Sequence, residues 1–87
     1  MNKEDKLLRL ISKRIRELRK EKGFSQEGFS LEANLNRSYY SRIERGQQNF
    51  SMICLLKISI ALDVEISELF PQKDRIKADV LFLLKNK

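Results

Sequence analysis

Arg37, Ser38, Ser41, Arg42 and Arg45 recur at steps of one, three and four residues. On a helix these steps put all five on one stripe, opposite Tyr40 and Ile43. No carboxylate interrupts that stripe. A guanidinium is a planar fork of donors that fits guanine O6 and N7 or a phosphate, and a hydroxyl pairs with several bases. The pattern therefore suits meeting base edges and phosphates in a DNA groove. The competing reading is a solvated helix face, and Gln26, at the start of the neighbouring helix, weighs against it. Arg37 and Arg42 are the expected base readers, with Ser38 and Ser41 adding less information. Asn36, Tyr39 and Arg45 sit at the margins, toward sugar and phosphate. Gln47 and Asn49 are placed to clamp the backbone beyond. Gln26 and the free N–H groups around it are placed to grip a phosphate at the positive end of their helix.

Two short helices and a tight turn must hold these residues. Ser25 is a good N-cap for the first helix, in which Phe29 and Ala33 mark one buried face. Asn34 tolerates the left-handed backbone that leaves a helix. Asn36 can cap the second helix, and Gly46 stands where a C-terminal glycine ends one. The stretch 25–46 is similar to the helix-turn-helix of the Cro-like phage-repressor, or xenobiotic-response-element, family. The similarity rests on Gln26, Phe29, Ser30, Ala33, Asn36-Arg37-Ser38, Ile43-Glu44 and Gly46. Within that family NRSYYSRIERGQQNFS most resembles the controller proteins of restriction-modification systems, where an Arg-hydroxyl-Tyr opening precedes an Ile-Glu-Arg core.

The resemblance spans residues 7 to 70 and implies an all-α, five-helix phage-repressor-like DNA-binding domain over residues 1–72. Residues 73–87 form an extra C-terminal amphipathic helix outside that pattern. The resemblance also implies an ion pair between Arg19 and Glu44, tying the first helix to the reading helix.

In chain order, the first helix is expected from about Asp5, as N-cap, to Lys22, with residues 1 to 4 frayed and Gly23 as the stop. Leu8, Ile11, Ile15 and Leu18 make its apolar stripe; Arg9, Lys13, Arg14, Arg16 and Lys20 are assigned to solvent. Phe24 enters the core, Tyr40 is core rather than contact, and Leu31 is exposed. Ser51 caps a helix to about Leu62, with Met52, Leu55, Ile58, Ser59 and Leu62 facing the core and Asp63 in the left-handed turn. Ser67 caps a short helix through Leu69 and Phe70. Ile53, Leu56 and Ile60 are surplus to one small core, as are Ile76, Val80, Leu83 and Leu84 on the last helix. These seven residues are the expected dimer interface, with the alternative that the last helix folds back over its own domain and enlarges the core.

The net charge is +6. Residues 1–46 hold 12 Lys/Arg against 7 Asp/Glu, so the excess coincides with the helix-turn-helix. A basic face favours polyanions by counterion release, although solubility alone explains charge equally well. The absence of histidine excludes His-based triads and His metal sites. Cys54 lies in an apolar helix without a neighbouring base and reads as packing. No enzyme activity, cofactor, metal or membrane span is expected, and a single cysteine suits the cytoplasm. The expected function is a homodimeric transcriptional regulator on a pseudo-palindromic double-stranded operator, with RNA polymerase as a further candidate partner. The alternatives are a phage-type repressor or antitoxin of the same fold, and a protein-interaction module without a DNA role.

Overall fold

In the computed structural model, which describes residues 2–86, Asn2 and not Asp5 starts the first helix. The Asn2 side chain accepts the Asp5 N–H at 2.8 Å, which leaves Glu4 and Asp5 in the first turn. Acids there are favoured by the positive end of the helix, so the expected cap is a first-turn residue instead. The helix α1 runs Lys3–Glu21, which also corrects the expectation that residues 3 and 4 fray.

Next come α2, Gln26–Glu32, and α3, Arg37–Glu44, each opened by the expected cap. Ser25 accepts from the Gly28 N–H and Asn36 from the Tyr39 N–H. Between them Asn34 takes a φ of 53°, and the Leu35 N–H returns to the Ser30 carbonyl at 2.8 Å. That bond closes α2 and turns the chain within a few residues.

The helix α4, Met52–Leu62, is capped by Ser51 and ends at Asp63, whose φ is 57°. Cys54, Leu55, Ile58, Ser59 and Leu62 are buried, but Met52 is 63% exposed, against expectation. It lies with Ile53, Leu56 and Ile60 on the outer arc of the helix, opposite the buried Cys54, Leu55, Ile58, Ser59 and Leu62.

The fifth helix of the expected pattern is a single 3-10 turn, Ile66–Leu69. Its start is set by Glu65 and not Ser67: the side chains of Glu65 and Glu68 each accept the other's backbone N–H. Leu69 is buried, while Phe70 lies just beyond the turn and is exposed. The last helix, α5, runs Lys73–Lys85.

One core joins these elements: Ile15 and Leu18 of α1, Phe29 and Ala33 of α2, Tyr40 and Ile43 of α3, Leu55, Ile58 and Leu62 of α4, and Leu69. The Phe29 ring lies 5.3 Å from both Phe24 and Tyr40, which locks α2 to α3. Five α-helices and no strand make up the described residues, so the chain is all-α.

The helix α5 packs on α1 differently from its apolar pattern. Its most buried residue is Asp79, held by Lys3 Nζ at 2.9 Å and Lys6 Nζ at 3.0 Å. Ile76, Val80 and Leu83 are half-buried, whereas Leu81, Phe82 and Leu84 remain exposed. An apolar helical face does not distinguish an intramolecular seat from an intermolecular one.

Candidate nucleic-acid interface

The reading stripe is fixed from beneath by one buried carboxylate. Glu44 accepts from Arg19 Nε at 2.6 Å, from Arg19 Nη2 at 3.1 Å, from the Tyr40 hydroxyl, and from Gln26 Nε2 at 3.3 Å. Arg19 Nη1 also donates to the Phe24 carbonyl at 2.8 Å, so the guanidinium spans α1, the loop before α2, and α3. Arg19 and Glu44 thus form the ion pair that the family resemblance implies, and both are buried. The hydrogen bond to Glu44 raises the Arg19 pKa further above its ordinary value. Burial, then the bond to Glu44, pushes the Tyr40 hydroxyl far above the tyrosine range, so it stays a donor. Every buried side-chain nitrogen and oxygen among the described residues has a partner. Such a satisfied network fixes one angle between helices.

Above it, Gln26, Arg37, Ser38, Ser41, Arg42 and Arg45 line one shallow concave surface. Two elements therefore bring together the four expected base readers and two of the expected backbone contacts. Gln26 is oriented by the same Glu44 that anchors α3, which couples the start of α2 to α3.

The other expected contacts are placed less simply. The Asn36 side chain is used as the cap of α3. Asn49 Oδ1 accepts the next residue's N–H at 2.9 Å, and Gln47 Oε1 accepts from Arg45 Nε at 3.1 Å. Tyr39 is half-buried against the core, its hydroxyl beside Cys54. Burial raises the pKa of both groups, so Tyr39 buttresses α3 and Cys54 is a neutral packing thiol.

Two neighbours escaped the sequence reading. Glu27 Oε2 lies 3.9 Å from Arg37 Nη1, with both side chains well exposed. Gln48 Oε1 accepts from Arg42 Nε at 3.4 Å. Each reading arginine thus has a weak, exposed tether, one from α2 and one from the loop after α3. Solvent screens such links strongly, so they orient the arginines without holding them back from a stronger acceptor.

Core, caps and reading surface together define a helix-turn-helix protein, and the helix-turn-helix family model matches residues 15–69. The chain belongs to that family. It is 48% identical over 58 residues to the control protein C.MunI of a Mycoplasma species, covering 66% of this chain and 78% of that protein. To the transcriptional regulator SinR of Bacillus licheniformis it is 41% identical over 71 residues, covering 80% of this chain but 64% of that protein. The crystal structure of the restriction-modification controller protein C.AhdI from Aeromonas hydrophila superposes with a TM-score of 0.71 at 48% identity. That superposition covers 72% of this chain and 96% of C.AhdI. The protein is a helix-turn-helix DNA-binding transcriptional regulator that resembles the restriction-modification controller proteins. No helix among the described residues is long and apolar enough to cross a membrane.

Proposed function

We propose that the protein acts as a homodimer on a pseudo-palindromic operator and controls a restriction-modification locus, without enzymatic activity of its own. One observation carries the reading. A buried Glu44 network holds Gln26 of α2 and the Arg37, Ser38, Ser41, Arg42 and Arg45 stripe of α3 on one surface. In that arrangement α3 enters the major groove while the start of α2 sits on the backbone. Arg37 and Arg42 read guanine edges, and Ser38 and Ser41 pair beside them. Gln26, Arg45, Asn36 and the loop residues Gln47 and Asn49 face the sugar-phosphate.

Likeness to C.MunI and C.AhdI supports the control of a restriction system. A regulator of this type acts in the cytoplasm, and contact with RNA polymerase would convert operator occupancy into activation. Residues 1–72 form the DNA-binding domain, and residues 73–87 an appended segment that carries α5.

Footprinting the DNA upstream of its own gene tests the proposal. A protected, two-fold-related pair of half-sites is expected, with affinity falling steeply as salt rises. An absence of protection, with no salt-dependent binding to any duplex, overturns it.

A further inference from the structure

We propose that α1 carries a second phosphate subsite, formed by Arg9, Lys13 and Arg16 and continuous with the reading surface through Arg45. The proposal rests on the DNA-binding reading and extends it to a helix whose charges look like a solvated face. Positions 9, 13 and 16 are four and three apart, so the three cations share one face of α1. Two contacts aim that face at the end of α3. Ser12 Oγ donates to the Ile43 carbonyl at 2.6 Å. Gly46, with a φ of 70°, has no side chain to keep Arg9 away: a Cβ there would lie 2.7 Å from Arg9 Cγ and 3.3 Å from Arg9 Cα. Arg9 is therefore seated against the turn that follows the reading helix.

The three residues line a single cleft with Arg45 and Gln47. Arg45 also borders the surface that holds Arg37 and Arg42, so the two depressions meet at that side chain. The one carboxylate in the cleft, Glu44, already accepts four hydrogen bonds from Arg19, Tyr40 and Gln26. Arg9, Lys13, Arg16 and Arg45 take part in no ion pair among the described residues. The C-terminal dipole of α3 points here and attracts cations, but it amounts to about half a negative charge. Four cations exceed that need, and the surplus positive potential fits a phosphodiester of the duplex beyond the last base that α3 reads.

The test compares the full-length protein with Arg9→Gln/Arg16→Gln, measuring affinity for operator and for random duplex across a salt series. Glutamine keeps the Cβ and Cγ that seat residue 9 on Gly46. Loss of two phosphate contacts lowers the slope of log affinity against log salt by about 2. Both duplexes should be affected alike, with the base preference in site selection unchanged. A second variant, Lys13→Gln/Arg16→Gln, leaves Arg9 untouched and must lower the slope by about as much. Lys73→Gln/Lys77→Gln on α5 removes the same charge outside both clefts and should leave the slope unchanged. An unaltered slope in the α1 variants, or an equal drop in the α5 variant, overturns the subsite while wild-type DNA binding stands. A wild-type protein that binds no duplex removes the regulator reading itself.

Discussion

The Tyr40 hydroxyl donates to the same Glu44 oxygen that Arg19 Nε holds, so one carboxylate oxygen joins a core aromatic to the ion pair between α1 and α3. This arrangement makes the pair sensitive to which member is removed. Arg19→Ala leaves a buried, uncompensated carboxylate and should lower stability by about 3–5 kcal/mol. Tyr40→Phe keeps the guanidinium in place and should cost about 1.5–3 kcal/mol. In a double-mutant cycle by denaturant unfolding, the two effects should fall short of adding. The Tyr40 pKa is raised above its ordinary 10.0, so its contribution is full below pH 10 and fades as alkaline titration proceeds. Tyr40→Phe should flatten that alkaline limb. Strict additivity would mean that the shared oxygen does not couple the two residues.

Base readout and backbone grip should separate by mutation. Arg37→Ala and Arg42→Ala are each expected to cost about 1–3 kcal/mol on the operator and to relax base preference locally. Gln26→Ala and Arg45→Ala should weaken binding to all sequences alike. Their placement motivates the difference: Arg37 and Arg42 lie within α3, whereas Gln26 opens α2 and Arg45 stands just past the end of α3. Binding-site selection on each variant checks this. Full base preference in Arg37→Ala would remove it from the readers.

What the sequence revealed was what local chemistry decides. Ser25, Asn36 and Ser51 cap their helices, and Asn34 and Asp63 take the left-handed turns, because those roles need only a side chain and its own backbone. The start of α1 was misplaced because Asn2, Glu4 and Asp5 all favour a helix N-terminus. Met52 was misplaced because α4 is apolar on nearly every side, so its period does not choose an inner face. In the candidate site, the common surface of Arg37, Ser38, Ser41, Arg42 and Arg45 was legible from helical spacing. The Gln26–Glu44, Arg37–Glu27 and Arg42–Gln48 contacts cross between elements and have no period to betray them.

The two left-handed glycines should respond differently to alanine. Gly23, with a φ of 84°, faces open space, whereas a Cβ on Gly46 meets Arg9. Gly23→Ala carries the backbone strain alone, roughly 1–2 kcal/mol. Gly46→Ala carries the same strain and also displaces Arg9, so its melting temperature should fall further. Equal losses would mean that Arg9 yields freely.

Asp79 makes the seat of α5 depend on pH and salt. Hydrogen bonds from Lys3 and then Lys6 hold its pKa below the ordinary 3.8. The unfolded chain therefore binds the proton more readily. The contribution is present above about that value and is lost as pH falls through the lowered one. Salt should weaken it too, since both lysines are partly exposed. Hydrogen exchange should show α5 opening under acid or high salt before the α1–α4 core. Asp79→Asn should open it at neutral pH. An α5 equally protected in that variant would mean that the half-buried Ile76, Val80 and Leu83 seat the helix alone.

The outer side of α4 is the surface through which two copies of α3 are expected to act together. Met52, Ile53, Leu56 and Ile60 follow one another at helical spacing, and Ile60 is 77% exposed. On α5, which packs against α1, Leu81, Phe82 and Leu84 are also uncovered. Apolar residues gathered in this way on a small domain mark an interaction surface. A two-fold contact there would bury them, and two copies of α3 could then read half-sites about 34–36 Å apart. Leu56→Asp/Ile60→Asp should give a folded monomer by sedimentation, because neither side chain belongs to the buried core. Its operator affinity should fall far more than its affinity for random duplex, since only the operator rewards simultaneous contact. Removal of residues 73–87 takes away the α5 contribution separately. If deletion alone gives the monomer, α5 forms the interface; a dimer that survives both changes moves it away from α4 and α5.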